Sequence, residues 1–199
     1  MILIINICKQ ELHRLEFVKP IEDILSRSET PFTTKHFSKF DKKDLDSCHR
    51  IIITGTSLKD FDYAKHLSKF NFLKSFDKPV LAICGGMQLL CMIHGCKLEK
   101  FREIGLKPIK FNAEFLGVTQ SRESENNNLD ISRDVYCLHN MAVKNDAILK
   151  KNFNIYSTTT SSDGKQFVQA IKHKHFKHYG TLFHPEVRNK DLIVNFLYV

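Results

Sequence analysis

Lys78-Pro79-Val80-Leu81-Ala82-Ile83-Cys84-Gly85-Gly86-Met87-Gln88-Leu89-Leu90 is the stretch on which the fold turns. Its four apolar residues 80–83 predict a short buried strand, and residues 86–94 predict a helix. Only a cysteine and a glycine separate the two. A strand that passes so abruptly into a helix has the layout of a nucleophile elbow, which holds a reactive side chain at the end of a parallel sheet. Working outward, residues 2–8 and 51–54 predict two more buried strands, the second ending at Gly55, and residues 32–37 are β-prone. Between them lie a helical stripe over 11–26, interrupted at Pro20, and a second helix over 60–76. Buried strands separated by helices imply a parallel sheet covered on both faces.

The second half has a different pattern. Residues 98–101, 106–111 and 115–120 predict short strands of antiparallel style, and the polar stretch 121–130 predicts a surface loop. Strands follow at 134–138, 154–160, 166–172 and 179–183, with a hairpin turn at Asp163-Gly164 and a closing helix over 189–198. No repeat or linker interrupts residues 1–199, which therefore read as a single α/β domain. The sheet is expected to be mostly parallel, with helices on both faces and a small antiparallel addition.

With 199 residues, 42% of them hydrophobic, the chain has material for a full core. The apolar run at the start is too short to span a bilayer, so a soluble, cytoplasmic protein is expected. The six cysteines form no CxxC pair, which favours reduced thiols over a disulfide framework. Net charge is +8 and pI about 9.2. The lysines are scattered, with no RNA-binding aromatic signature, so a solvated basic surface is favoured over a nucleic-acid site. An acidic partner face also fits that charge.

A second segment, Leu182-Phe183-His184-Pro185-Glu186, is a strand running into a histidine and a carboxylate. With Cys84 it supplies the groups for thiolate acyl transfer. The helix after Cys84 would aim free N–H groups and its positive end at the sulfur, favouring the thiolate. The Gly85 N–H would hold the oxygen of a tetrahedral intermediate, with a second donor from the backbone around Gly55 and Thr56. His184 would carry the proton, and Glu186, two residues on and on the same face, would orient its ring. Taken singly, each element has a plainer reading: a buried thiol, a loop, a turn. Their order along the chain favours function. The cysteines at 8, 48, 91, 96 and 137 read as small buried hydrophobes. His173, His175 and His178 read as a solvated, partly cationic strand end, and no metal or cofactor site is expected. His94 and Gly95 read as a helix end.

The segment Ala82-Ile83-Cys84-Gly85-Gly86-Met87-Gln88 resembles the G-x-C-x-G-x-Q elbow of class I (triad) glutamine amidotransferases, and Phe183-His184-Pro185-Glu186-Val187 is similar to their F-H-P-E motif. The resemblance covers nearly the whole chain. It implies a flavodoxin-like sheet and hydrolysis of the glutamine side-chain amide through a Cys84 thioester, with ammonia released. It also implies that Gln88 helps to hold the substrate. The end of the chain is similar to the free-standing glutaminase subunit of GMP synthase. There His139 matches one residue of a Ser-His-Gly-Asp segment, and Asn140 stands beside it; the segment implies substrate binding and partner contact. No GxxxxGK[ST] loop is present. The acceptor chemistry is therefore expected from an ATP-dependent synthetase partner, GMP synthase first among the candidates. A stand-alone hydrolase of γ-glutamyl compounds and a non-catalytic regulatory homologue are the rival readings.

Overall fold

Strand β1 (Ile2–Asn6) is buried along its whole length, and its side chains divide between two cores. Ile2 and Ile4 join Ile52, Leu81 and Ile83 on one face of the sheet. Leu3 and Ile5 join Ile51, Ile53, Val80 and Ala82 on the other. The strand repeat of two makes this division, and covering on both faces is why these strands are unbroken apolar runs. The structure, a computed structural model, describes residues 1–118 and 131–199. The loop expected at 121–130 lies outside the described residues.

In chain order the other strands are β2 (Phe32–His36), β3 (Arg50–Ile53), β4 (Val80–Ile83), β5 (Leu98–Phe111), β6 (Ile131–Val143), β7 (Phe153–Thr160), β8 (Gln166–His173) and β9 (His178–Thr181). Seven of the strands form one sheet, ordered β2-β1-β3-β4-β9-β8-β7. The first five pair in parallel, and β8 and β7 extend the sheet antiparallel. β5 and β6 form a separate antiparallel ribbon. The helices are α1 (Glu11–Phe17), α2 (Lys19–Arg27), α3 (Lys42–Ser47), α4 (Gly85–Ile93), α5 (Ala147–Asn152) and α6 (Lys190–Phe196). α1, α2 and α6 cover one face through Phe17, Ile21, Leu25, Leu192 and Phe196. α4, α5 and the turn-rich segment before β4 cover the other through Leu89, Leu90, Leu149, Phe70 and Leu73. This is the expected α/β class.

Several elements differ from expectation in instructive ways. Pro20 divides the first stripe into α1 and α2 and sits in the first turn of α2, where its missing N–H has no helical partner to lose. The helix expected over 60–76 is a 3-10 helix, Asp62–Lys74, kinked at His66. Its buried residues Phe70 and Leu73 are spaced by the three-residue repeat of that helix. The two strands expected at 98–101 and 106–111 are one, β5, with a register shift between Lys100 and Glu103. Gly105, at φ +91°, lies in the expected gap and Pro108 inside the second expected strand. They are tolerated because β5 pairs on one side only, and an edge strand can do without a donor. Of the strand expected at 115–120, only the bridge between Phe115 and Val118 falls among the described residues. Helix α5 was not expected; the Asp146 side chain caps it, accepting from the Leu149 N–H at 2.9 Å.

The histidines near the end of β8 overturn the expectation of a solvated, cationic strand end. His173 and His178 are buried, and the His173 ring packs against Phe153, Phe176 and His94. Burial, with neighbouring histidines adding, brings both rings down to about 4. Only His175 is exposed. Two smaller expectations match: Gly164 is at φ +80° in the β7–β8 hairpin, and His94 closes α4 with Gly95 at φ +86°. All six cysteines are free and buried. No helix among the described residues is long and apolar enough to cross a membrane.

Candidate active site

Strand order brings the expected groups together. β3, β4 and β9 are neighbours in the sheet and run in parallel, so Gly55, Cys84 and His184 leave their carboxyl ends side by side. The Cys84 N–H still donates to the Thr181 carbonyl at 2.7 Å, continuing the β4–β9 ladder. The chain then turns into α4 with Cys84 at φ +47°, ψ −104°, a conformation that costs a non-glycine residue energy. Such strain at a strand-to-helix turn is the mark of an elbow. Gly86 makes it possible: a Cβ there would stand 2.6 Å from the Ile53 carbonyl oxygen, so α4 lies directly against the end of β3.

His184 and Glu186 are almost wholly buried, and the His184 Nδ1–H donates to Glu186 Oε1 at 2.7 Å. Nε2 makes no hydrogen bond among the described residues and is the nitrogen free to exchange a proton. Burial opposes the charged ring. The Glu186 carboxylate and the nearby Cys84 sulfur outweigh it and hold His184 well above the ordinary histidine value. Phe17 covers the ring, with centroids 5.4 Å apart. Gly55 is the meeting point: its Cβ position lies 2.6 Å from His184 Cε1 and 3.4 Å from Cys84 Cβ. The missing side chain there makes room for the imidazole rather than for a ligand.

The far wall of the cleft is the β5–β6 ribbon. The Cys84 thiol donates to the Leu138 carbonyl at a 3.6 Å S···O distance. Gln88, 3% exposed, accepts from the Tyr63 hydroxyl at 2.8 Å and donates to the Met141 carbonyl at 2.7 Å, tying α4 to the ribbon. Asn140 donates to the Leu58 carbonyl at 3.2 Å, across the cleft mouth. Thr56, Tyr63, Cys84, Gly85, Gln88 and His139 line a narrow cleft of only about 10 Å³, room for little more than a water molecule. Of the nine expected residues, Thr56, Cys84, Gly85, Gln88, His139 and Asn140 line the cleft, Gly55 and His184 pack together beside Cys84, and Glu186 stands behind His184.

Asp60 and Tyr63 were not anticipated. Buried Asp60 accepts from the Thr56 hydroxyl at 2.8 Å and from the Lys9 and Asp62 N–H groups, fixing the loop after β3. Both residues look like the start of an ordinary helix in the sequence. Their partners come from distant segments, so no local signal marks them.

A family model, glutamine amidotransferase class-I, matches residues 17–197. The chain is 30% identical over 122 residues to a glutamine-hydrolysing GMP synthase of Francisella philomiragia; the match covers 59% of this chain and 21% of that protein. The chain therefore spans about a fifth of that relative's length. It is 27% identical over 191 residues to anthranilate synthase component 2 of Leptospira biflexa, covering 90% of this chain and 85% of that one. A Thermoplasma acidophilum crystal structure, described as that of a GMP synthase subunit, superposes with a TM-score of 0.75 at 21% identity. The superposition covers all of this chain and 93% of the other. That likeness concerns the fold. The match to residues 17–197, carrying elbow, histidine and carboxylate within it, makes this chain a member of the class-I glutamine amidotransferase family.

Proposed function

We propose that this chain hydrolyses the side-chain amide of glutamine and passes the ammonia to a synthetase partner. The observation that carries the reading is the convergence at Gly55 of a strained elbow cysteine and a histidine locked by a buried carboxylate. In this reading the Cys84 thiol gives its proton to His184 Nε2 as its sulfur attacks the amide carbon, and the developing oxyanion is held by the Gly85 N–H and by the backbone around Thr56. His184 Nε2 returns a proton to the leaving nitrogen, giving ammonia and a γ-glutamyl thioester. Water then attacks the thioester, with His184 as base, releasing glutamate and the Cys84 thiol. Glu186 keeps the proton of His184 on Nδ1 between these steps. Gln88, both ends of its amide already engaged, acts by holding the pocket wall in place.

Ammonia released into water would be protonated and lose its nucleophilicity, so a synthase subunit docked over the cleft, ATP-dependent in the case of GMP synthase, is the expected acceptor. GMP synthase is the first candidate, supported by the relatives of that name. Anthranilate synthase is the second, favoured by a match over nearly the full length of both chains. Labelling with a glutamine-analogue electrophile tests the chemistry. One adduct on Cys84, competed by glutamine, is expected; no adduct at saturating reagent favours a non-catalytic homologue. Mixing the chain with a synthase subunit, ATP, glutamine and xanthosine monophosphate tests the acceptor. Glutamine hydrolysis without GMP would remove that assignment and leave the chemistry standing.

A further inference from the structure

In the ribbon wall of the cleft lies a cluster to which the proposed chemistry gives no task, although one member, His139, also lines the cleft. Glu103 of β5 stands opposite His139 of β6, and Cys137 is two residues along from His139 on the same face of the ribbon. A carboxylate oxygen, a thiol sulfur and an imidazole nitrogen there lie within 4.8 Å of one another. Two of the three are buried, Cys137 wholly and His139 to 2% exposure, and the Glu103 side chain is 10% exposed. The cluster is also poorly satisfied. Neither ring nitrogen of His139 makes a hydrogen bond among the described residues. Glu103 Oε2 is 3.3 Å from Nε2 but out of line with it. Gln169 donates to Glu103 at 2.6 Å, and its own Oε1 is buried without a hydrogen bond among the described residues. Buried polar atoms left so need an explanation.

We propose that Glu103, Cys137 and His139 form a binding site for a thiophilic divalent cation, zinc first. Cysteine sulfur, imidazole and carboxylate are zinc's ligand set, and a thiolate selects against magnesium and calcium. Ligands on one tetrahedral zinc stand roughly 3.3–3.6 Å apart, by its bond lengths, so the three side chains need close by only about an ångström. Binding exchanges the thiol proton for a sulfur–metal bond; one proton passes to solvent and no electron moves. The fourth position falls to Gln169 or water. Leu138, between two of the ligands in sequence, carries the carbonyl that receives the Cys84 thiol. Filling the site would therefore reset the rest position of the sulfur. The sequence conceals the site because Glu103 comes from a different strand.

The test is a cobalt(II) titration of the tag-free chain, read by absorption, and it does not depend on glutaminase activity. A sulfur-to-cobalt charge-transfer band saturating at one equivalent and displaced by zinc is expected. The band should survive in Cys84→Ser, which separates this site from the elbow thiol. It should vanish in Cys137→Ser. In Glu103→Gln, which keeps the shape of the side chain, affinity should fall at least about tenfold. No band in the wild-type protein, a band undiminished in Cys137→Ser, or unchanged affinity in Glu103→Gln would each overturn the proposal. The cluster would then be a plain buried Glu–His pair.

Discussion

A methyl group added at position 55 would stand 2.6 Å from His184 Cε1, a distance no real contact tolerates. The ring is packed under Phe17 and bonded to Glu186, so it cannot simply turn aside. Gly55→Ala is therefore expected to displace the imidazole by a fraction of an ångström to an ångström. Glutamine turnover should fall on the order of 10²-fold, with far-ultraviolet circular dichroism unchanged. Glu186→Gln acts on the same ring by charge. With the carboxylate gone, burial prevails, and the His184 titration followed by NMR should move to lower pH. Turnover should drop on the order of 10³-fold or more. A glutamine variant as active as the parent would remove Glu186 from the mechanism.

Among the elements, the turn from β4 into α4 depends on how close the helix comes to the sheet. The Cβ of Gly86→Ala would lie 2.6 Å from a backbone oxygen of β3, which has no rotamer with which to yield. A loss of about 1–3 kcal/mol in urea unfolding is expected, together with reduced Cys84 alkylation by the glutamine analogue. This junction was the most legible part of the sequence, since an apolar strand, a cysteine and paired glycines leave few other arrangements. The closing Phe183-His184-Pro185-Glu186 segment was equally plain. Gly55 was legible as a close approach, but not as an approach to His184, because only the order of β3, β4 and β9 brings them together. The ribbon was harder to read. Gly105 and Pro108 are breakers in a central strand and harmless in one paired on a single side, and a sequence does not announce its edges. The burial of His173 was hidden for a similar reason: Phe153 and His94, which enclose it, come from β7 and the end of α4.

For the molecule as a whole, that histidine cluster sets an acid limit. His173 and His178 titrate near 4 when folded and near 6.5 when free. Between those values the unfolded chain binds more protons, so stability rises with pH across the window. Their contribution is complete above about pH 6.5 and fades as pH falls towards 4. Urea midpoints measured from pH 7.5 to 4.5 should decline accordingly. His173→Phe should be less stable at neutral pH, because the Nδ1 acceptor of two backbone N–H groups is lost, yet show a shallower decline. A slope identical to that of the parent would show that acid acts elsewhere.

The sulfur of Cys84 belongs to the seven-stranded sheet, and the carbonyl it leans on belongs to a two-stranded arm. Strands with one neighbour exchange their amide protons sooner than strands with two, so the arm should breathe while the sheet stays shut. Deuterium uptake along 131–143 should then outrun uptake along 80–83 by orders of magnitude. Opening of the arm, once the bonds from Gln88 to Met141 and from the His184 N–H to Tyr136 let go, would admit an incoming amide while the anvil beneath it holds still.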